Sequence, residues 1–281
     1  MDPDAYRETS LDRWQRAAGG WSRRRETLQR VAAPVTGWMI DATAPEPGQV
    51  VLELAAGPGD TGLAAARRVA PTGRLICSDW AEAMLDVARE RARELGLENV
   101  DFRVLNAESL DLETASVDAV LCRWGYMLLA DPATGLQETR RVLRPGGRVS
   151  LAAWDAPERN PWAAAPAEET RRRLDLPPPA PDEPGMFAFS PSGRIETLLA
   201  EAGFAEAQVD AIDLVMAYRS FEDWWETTLD LSRPFADMLE SRSAADRTDI
   251  QASLRDALSR FAAPDGALVV PARTLVAAAT A

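Results

Sequence analysis

Two hydrophobic periods alternate along this chain. Leu28, Val31, Val35 and Met39 recur at three- and four-residue steps, the stripe of an amphipathic helix, and residues 1–45 read as helices. Two prolines and a glycine between Pro45 and Gly48 break them. Short apolar runs then predict strands at 50–54, 74–78, 100–105, 117–122 and 148–154. Helical stretches fall between them at 61–69, 81–95 and 136–143. In the second, Met84, Leu85, Ala88, Ala92 and Leu95 share one side. Pro145-Gly146-Gly147 reads as a turn before the fifth strand. Such alternation implies a parallel sheet covered by helices on both faces.

The alternation fails after Trp154. Residues 155–190 are rich in proline, alanine and charge, with a stiff run from Pro177 to Pro181, and read as a partly helical cap insertion. A helix at 192–202 and a strand at 207–217 resume the pattern. A second helical insertion covers 220–263, and a last strand starts near Ala267. Strands on both sides of the insertions can join one sheet. The expected organisation is therefore a single domain, 1–281: helical lid 1–45, core 46–154 and 191–219, insertions 155–190 and 220–263, last strand 264–281.

Composition narrows the chemistry. Acidic residues number 44 against 31 basic, a net charge of −13, and every basic residue is arginine. Without histidine or lysine there is no Ser-His-Asp or Cys-His couple, no Schiff-base lysine, no P-loop lysine and no histidine metal site. The acidic balance argues against nucleic acid as partner. Cys77 and Cys122 sit in apolar runs without CxxC spacing and read as buried hydrophobes, which points to a reducing cytoplasm. Residues 1–30 have no apolar stretch of a secretory leader, and no apolar run approaches the roughly 20 residues of a membrane span.

The sharpest feature lies between the first strand and the next helix. Gly57, Gly59 and Gly62 spell GxGxxG, and Asp79 ends the second strand about 20 residues on, where a carboxylate can take ribose hydroxyls. This favours an adenosine-bearing ligand. Glu53, four residues before Gly57, would repel a pyrophosphate but suits the ammonium and sulfonium of S-adenosyl-L-methionine. Asn106, after the third strand, offers a side-chain amide to the adenine edge.

These residues resemble the class I S-adenosylmethionine-dependent methyltransferases, most of all their UbiE/MenG-like (type 11) branch. The likeness runs from Val50 to Trp154. It is carried by Leu52-Glu-Leu-Ala-Ala-Gly-Pro-Gly-Asp60, Ser78-Asp79 with Met84-Leu85, Leu105-Asn-Ala-Glu108, Arg141-Val-Leu-Arg-Pro-Gly-Gly147 and, further on, Leu199-Ala-Glu-Ala-Gly-Phe204. The resemblance implies a Rossmann-like, seven-stranded, mostly parallel α/β sheet with its last strand antiparallel. It also implies cofactor contacts. The backbone at Ala55, Gly57 and Gly59 would hold the methionine end, Asp79 the ribose, and Trp80 and Met84 would flank adenine. Asn106 and Ala107 would contact the base, and Arg123 would lie beneath the methionine part. The UbiE pattern usually has threonine at Pro58 and a small hydroxyl at Arg123. A long arginine there can reach either the methionine carboxylate or the substrate.

Methyl transfer needs a general base only when the nucleophile must lose a proton. Tyr126, in Arg123-Trp-Gly-Tyr126 after the fourth strand, is the candidate base, its competing reading being lid packing; Arg123 is a second candidate for the chemistry. The Asn/Asp-Pro-Pro-aromatic motif of base- and glutamine-methylating relatives is absent, which favours a small molecule. Trp14, Trp21, Trp38, Trp154, Trp162 and Phe187 lie in the N-terminal helices or flank the first insertion, and suggest an aromatic lid over a hydrophobic or aromatic acceptor. No metal is expected, and a homodimer stays open. A noncatalytic S-adenosylmethionine binder is the alternative. An NAD(P)-dependent oxidoreductase would want the Tyr-x-x-x-Lys or histidine that this chain lacks.

Overall fold

The computed structural model describes residues 2–180 and 183–281; Pro181, the end of the proline-rich run, lies outside them. Seven strands form one sheet: β1 (Val50–Glu53), β2 (Arg74–Asp79), β3 (Val100–Val104), β4 (Val117–Arg123), β5 (Leu143–Trp154), β6 (Ala205–Tyr218) and β7 (Leu268–Thr280), in the order β3-β2-β1-β4-β5-β7-β6. The first five run parallel, and β7 is antiparallel to both β5 and β6. Strands from both sides of the insertions thus share the sheet. In β4, Val117 and Ala119 through Cys122 are all buried. Successive strand residues point to opposite faces, so the sheet is covered on both.

Two helices precede the sheet, α1 (Pro3–Arg23) and α2 (Arg25–Thr43). Within it come α3 (Asp60–Val69), α4 (Glu82–Glu94), α5 (Pro132–Val142), α6 (Pro161–Arg173), α7 (Arg194–Glu201), α8 (Phe221–Leu231), α9 (Arg233–Glu240) and α10 (Ala244–Leu258). Helix α6 of the first insertion packs on α9 and α10 of the second, so the two insertions make one cap. Helix α1 touches α4 of the core and α8 and α9 of the cap, bridging the two.

Two expected boundaries need correction. Helix α5 begins at Pro132, not at 136. The Asp131 side chain accepts from the Thr134 N–H and a proline fills the first turn, so capping starts the helix before its apolar stripe does. Pro145-Gly146-Gly147 belongs to β5 itself. The Gly146 N–H donates to the Ala281 carbonyl and the Ala281 N–H to Gly147, so the end of the chain pairs with this segment as an added length of sheet. Gly146 has φ +79°, which accommodates the bend without strain.

Candidate functional site

Strands β1 and β4 lie side by side, with Glu53 level with Leu121. Both end in left-handed turns. Ala55 has φ +50° and Gly57 +53°, while across from them Trp124 has φ +60°. Non-glycine residues rarely hold such angles unless their surroundings fix them, and they gather at functional sites. Gly125 is glycine for a steric reason: a Cβ there would sit 2.6 Å from both the Ala55 Cβ and the Cys122 Sγ. The two turns are thereby pressed together at the carboxyl ends of the strands, where open α/β sheets bind ligands.

A cavity of about 110 Å³ opens at this point. Ala55, Gly57 and Pro58 form its glycine-loop wall, and Asp79, Trp80 and Met84 line it from β2 and α4. Ala107, Arg123 and Trp124 complete the core side, and α1 covers it with Tyr6, Arg7, Ser10, Trp14 and Trp21. Asp79 is oriented from both sides. Its Oδ2 accepts from the Gly57 N–H at 2.8 Å and its Oδ1 from the Ala81 N–H at 2.9 Å. Burial pushes its carboxyl up, against those N–H groups.

Arg123 reaches from β4 toward the first turn of α3, where its Nε donates to Thr61 Oγ1 at 2.8 Å. Its Cζ lies 4.7 Å from the Trp124 ring centre, within cation–π range. Trp124 stacks on Trp154 at 4.3 Å, and Trp154 meets Trp162 edge-on at 5.2 Å. The Trp124 indole donates to Thr274 Oγ1, which fixes the column to β7. Burial pulls the Arg123 guanidinium below its ordinary pKa, against the opposing charges of Asp60 and Glu53.

Helix α1 is fastened at both ends. The Tyr6 hydroxyl donates to the Leu128 carbonyl, Arg7 pairs with buried Glu108 at 2.6 Å, and Gln15 accepts from the Ala83 N–H. On the cap side Arg16 pairs with Asp237, and Arg23 and Arg24 share Asp230. Trp14 and Trp21, one heptad apart, meet edge-on at 5.6 Å and lie against Ala81 and Met84.

Of the residues expected from sequence, Ala55, Gly57, Asp79, Trp80, Met84, Ala107, Arg123, Trp14 and Trp21 come together on this cavity. The others require correction. Glu53 lies under the glycine loop and does not line it. It is 2% exposed, takes the Cys77 thiol at 3.7 Å and is pushed up to about 8, chiefly by burial. It is neutral at pH 7, so the charge argument that set it against a pyrophosphate does not operate. Gly62 is glycine because of that carboxyl: a Cβ there would meet Glu53 Oε2 at 2.2 Å. Gly59 turns the chain into α3 at φ +81° without lining the cavity. The Asn106 side chain accepts from the Glu108 N–H, closing its own turn; Leu105 and Ala107 face the cavity instead.

Tyr126 is not at the mouth of the site. It is 1% exposed, its hydroxyl lies 2.5 Å from Thr139 Oγ1 on α5, and burial pushes its pKa well up. That placement removes it as a general base. Trp38 and Phe187 pack on the main core, and Trp154 and Trp162 stand behind Trp124. The aromatic lid is therefore α1 alone. Sequence reasoning missed Tyr6, Arg7 and Trp124; the heptad spacing of Trp14 and Trp21 was the available signal for the α1 face.

The strand order, the glycine loop after β1 and the acid ending β2 define a class I methyltransferase architecture. Within that class, the ubiE/COQ5 methyltransferase family matches residues 36–165, just under half of the chain, and this stretch is similar to a UbiE core. It is 39% identical over 113 residues to the ubiquinone/menaquinone biosynthesis C-methyltransferase UbiE of Hydrogenovibrio crunogenus, which covers 40% of this chain and 44% of that protein. The match to the curated relatives thus spans about half their length. Over most of the chain the fold is similar to the YcgJ protein of Bacillus subtilis (TM-score 0.59, 23% identity, 87% of this chain and 97% of that one). It is also similar to the [4+2]-cyclase SpnF (TM-score 0.54, 17% identity, 95% and 96%).

Proposed function

We propose that the protein transfers a methyl group from S-adenosyl-L-methionine to a small hydrophobic or aromatic acceptor. The supporting observation is the cavity itself, in which the Asp79 carboxylate, the Ala55–Pro58 loop and the Trp80 and Met84 side chains surround an opening beside Arg123. The donors and apolar walls fit that cofactor, and the UbiE-like core supports the same reading. When bound, the sulfonium supplies an already activated methyl carbon.

The chain's part is then positional. Asp79 holds the ribose hydroxyls, the loop backbone receives the methionine end, and Trp80 and Met84 grip the base. The left-handed turns at Ala55 and Trp124 fix the floor against which an acceptor approaches in line. Helix α1 excludes water. The enclosed volume is below the roughly 300–1,000 Å³ usual for ligand pockets, so α1 lifts to admit ligands and closes again through Arg7–Glu108 and Arg16–Asp237.

No free base lines the cavity among the described residues. Asp79 is engaged by two N–H groups, and the Tyr6 hydroxyl is a donor to Leu128 with its pKa raised by burial. An acceptor that must lose a proton therefore has to enter the closed site already ionised.

The architecture also occurs in a [4+2]-cyclase, so turnover, and not binding alone, decides between an enzyme and a noncatalytic binder. S-adenosylhomocysteine should raise the melting temperature and NAD should not. Labelled methyl should pass from the cofactor to at least one member of a panel of quinols, phenols, amines and thiols. Stabilisation by NAD instead would sink the cofactor reading; binding without transfer to any acceptor would leave a binder.

A further inference from the structure

We propose that Glu108 is a positioning residue that governs closure of the lid: α1 opens from its N-terminal turn, pivots on its C-terminal end, and is held shut by the Arg7–Glu108 pair. The two ends of the helix are fastened by different means. Near the C-terminal end, the Gly20 backbone lies so close to α8 that a Cβ would fall 2.0 Å from the Asp230 carbonyl oxygen, and Arg23 and Arg24 converge on the same Asp230. Apart from Ser10, the buried residues of α1 are Ala17, Ala18 and Gly20, all in its second half. Those alanines pack with Ala81 and Met84 in a cluster separate from the main core, so the first half can swing without disturbing the sheet. The N-terminal turn is held by side chains, Tyr6 on the Leu128 carbonyl and Arg7 on Glu108.

Glu108 is built as the fixed half of a clasp. It follows the turn after β3 whose Leu105 and Ala107 line the cavity, and its side chain is only 4% exposed. Its Oε2 accepts from Arg7 Nε at 2.9 Å and Nη2 at 2.6 Å. Its Oε1 accepts from the Asp131 N–H at 3.1 Å, next to Leu129 and Ala130 of the cavity wall. One carboxylate thus joins the lid to both core loops at this end. Arg7 also serves more than one acid. Its Nη1 donates to Asp4 at 2.6 Å, and its charge adds to the Thr134 N–H in holding the Asp131 carboxyl below its ordinary range. Lifting the turn would withdraw Arg7 and leave Glu108 and Asp131 together without it. A buried acid that loses its partner is strongly disfavoured, which drives the turn back down. The Arg16–Asp237 pair on the cap side, 44% and 35% exposed, has no such penalty and contributes little.

Resting on the function proposed above, a nucleoside seated against Ala107 lies under this turn, and the clasp sets how fast it leaves. Release of S-adenosylhomocysteine would be followed by tryptophan fluorescence in stopped flow for wild type, Arg7→Met, Glu108→Gln, the double variant and Arg16→Gln. Glu108→Gln keeps an acceptor for the Asp131 N–H, and Arg7→Met alters only the lid should the first variant not fold. Each single change at the clasp should speed release about 10- to 100-fold, the range of a charge-assisted hydrogen bond. The double variant should be no faster than the faster single one, and Arg16→Gln should stay within about threefold of wild type. In the free protein, hydrogen exchange of the amides of residues 6–14 should quicken in both clasp variants, while that of residues 20–23 should not. A Glu108 that merely supports the start of α5 would give additive effects and faster exchange at residues 129–134; that result, or unchanged release in Arg7→Met, overturns the clasp. Acceleration by Arg16→Gln equal to that by Arg7→Met overturns the pivot. If wild type binds no S-adenosyl compound while the exchange pattern holds, the cofactor reading falls and the clasp stands.

Discussion

Replacing Glu53 by glutamine should stabilise the protein at alkaline pH and leave it nearly unchanged in acid. The carboxyl is held at about 8 in the fold against 4.5 in the free chain, with burial the dominant cause and the Gly62 N–H and the Arg123 charge opposing it. Between those values the folded state keeps a proton that the unfolded state has released. Stability from this group is thus fully present below about 4.5, falls as pH rises toward 8, and is flat beyond. At about 1.4 kcal/mol per pH unit, the whole span is worth about 5 kcal/mol. Glu53 is fully enclosed, so no discount for solvent applies. Glutamine keeps an acceptor for Gly62 and never ionises. The assay is urea unfolding of wild type and Glu53→Gln at pH 5, 6, 7, 8 and 9, read as the difference in unfolding free energy. Other titrating groups cancel in that difference. Over that range the variant's advantage should grow by about 4 kcal/mol, nearly all of it between pH 5 and pH 8. A constant difference across the range would refute the buried neutral acid.

Asp79→Asn should weaken S-adenosylhomocysteine binding at least about 10-fold, about 1.4 kcal/mol, in calorimetry; unchanged affinity would remove its ribose role. Tyr126→Phe should leave methyl-transfer rates within about threefold of wild type, and cost about 1 kcal/mol of stability through the lost Thr139 bond; abolished turnover in a folded variant would restore it as a base. Gly20→Ala should loosen the lid, because its Cβ would fall 2.0 Å from the Asp230 carbonyl oxygen. It should speed nucleoside release in stopped flow and lower stability by about 1–3 kcal/mol; unchanged release and melting would show that α1 and α8 can part without consequence.

The sheet was legible because its signal is periodic. Every expected strand forms, including the antiparallel last one that the resemblance implied, and the errors are at ends where capping and chain-end pairing decide, as at Pro132 and Gly146. Asp79 was legible because its place at a strand end after a glycine loop is a matter of spacing. Tyr126 was not. The turn after β4 passes through a left-handed tryptophan, which sends Trp124 to the cavity wall and folds Tyr126 beneath α5. No composition rule announces a tryptophan at φ +60°. Glu53 failed for another reason: strand alternation tells which face a residue takes, but not that α3 closes over that face and makes the acid neutral.

The placements of Tyr126 and Asp79 change what the absence of histidine and lysine means. With Tyr126 removed and Asp79 engaged, the cavity wall offers donors and aromatic surface but no free acceptor of a proton. General-base catalysis would contribute about 10²–10⁴-fold where it operates; here that factor has to come from the acceptor's own ionisation or not be needed. A soft nucleophile, a thiolate or an activated aromatic carbon, meets that condition better than an alcohol, whose proton leaves only at a high cost. On the methyl transfer proposed above, binding geometry then carries the rate. That places the demand on the parts of this structure that are over-determined: the paired left-handed turns at Ala55 and Trp124, the Gly125 contact that locks them together, and the lid helix fastened to both core and cap.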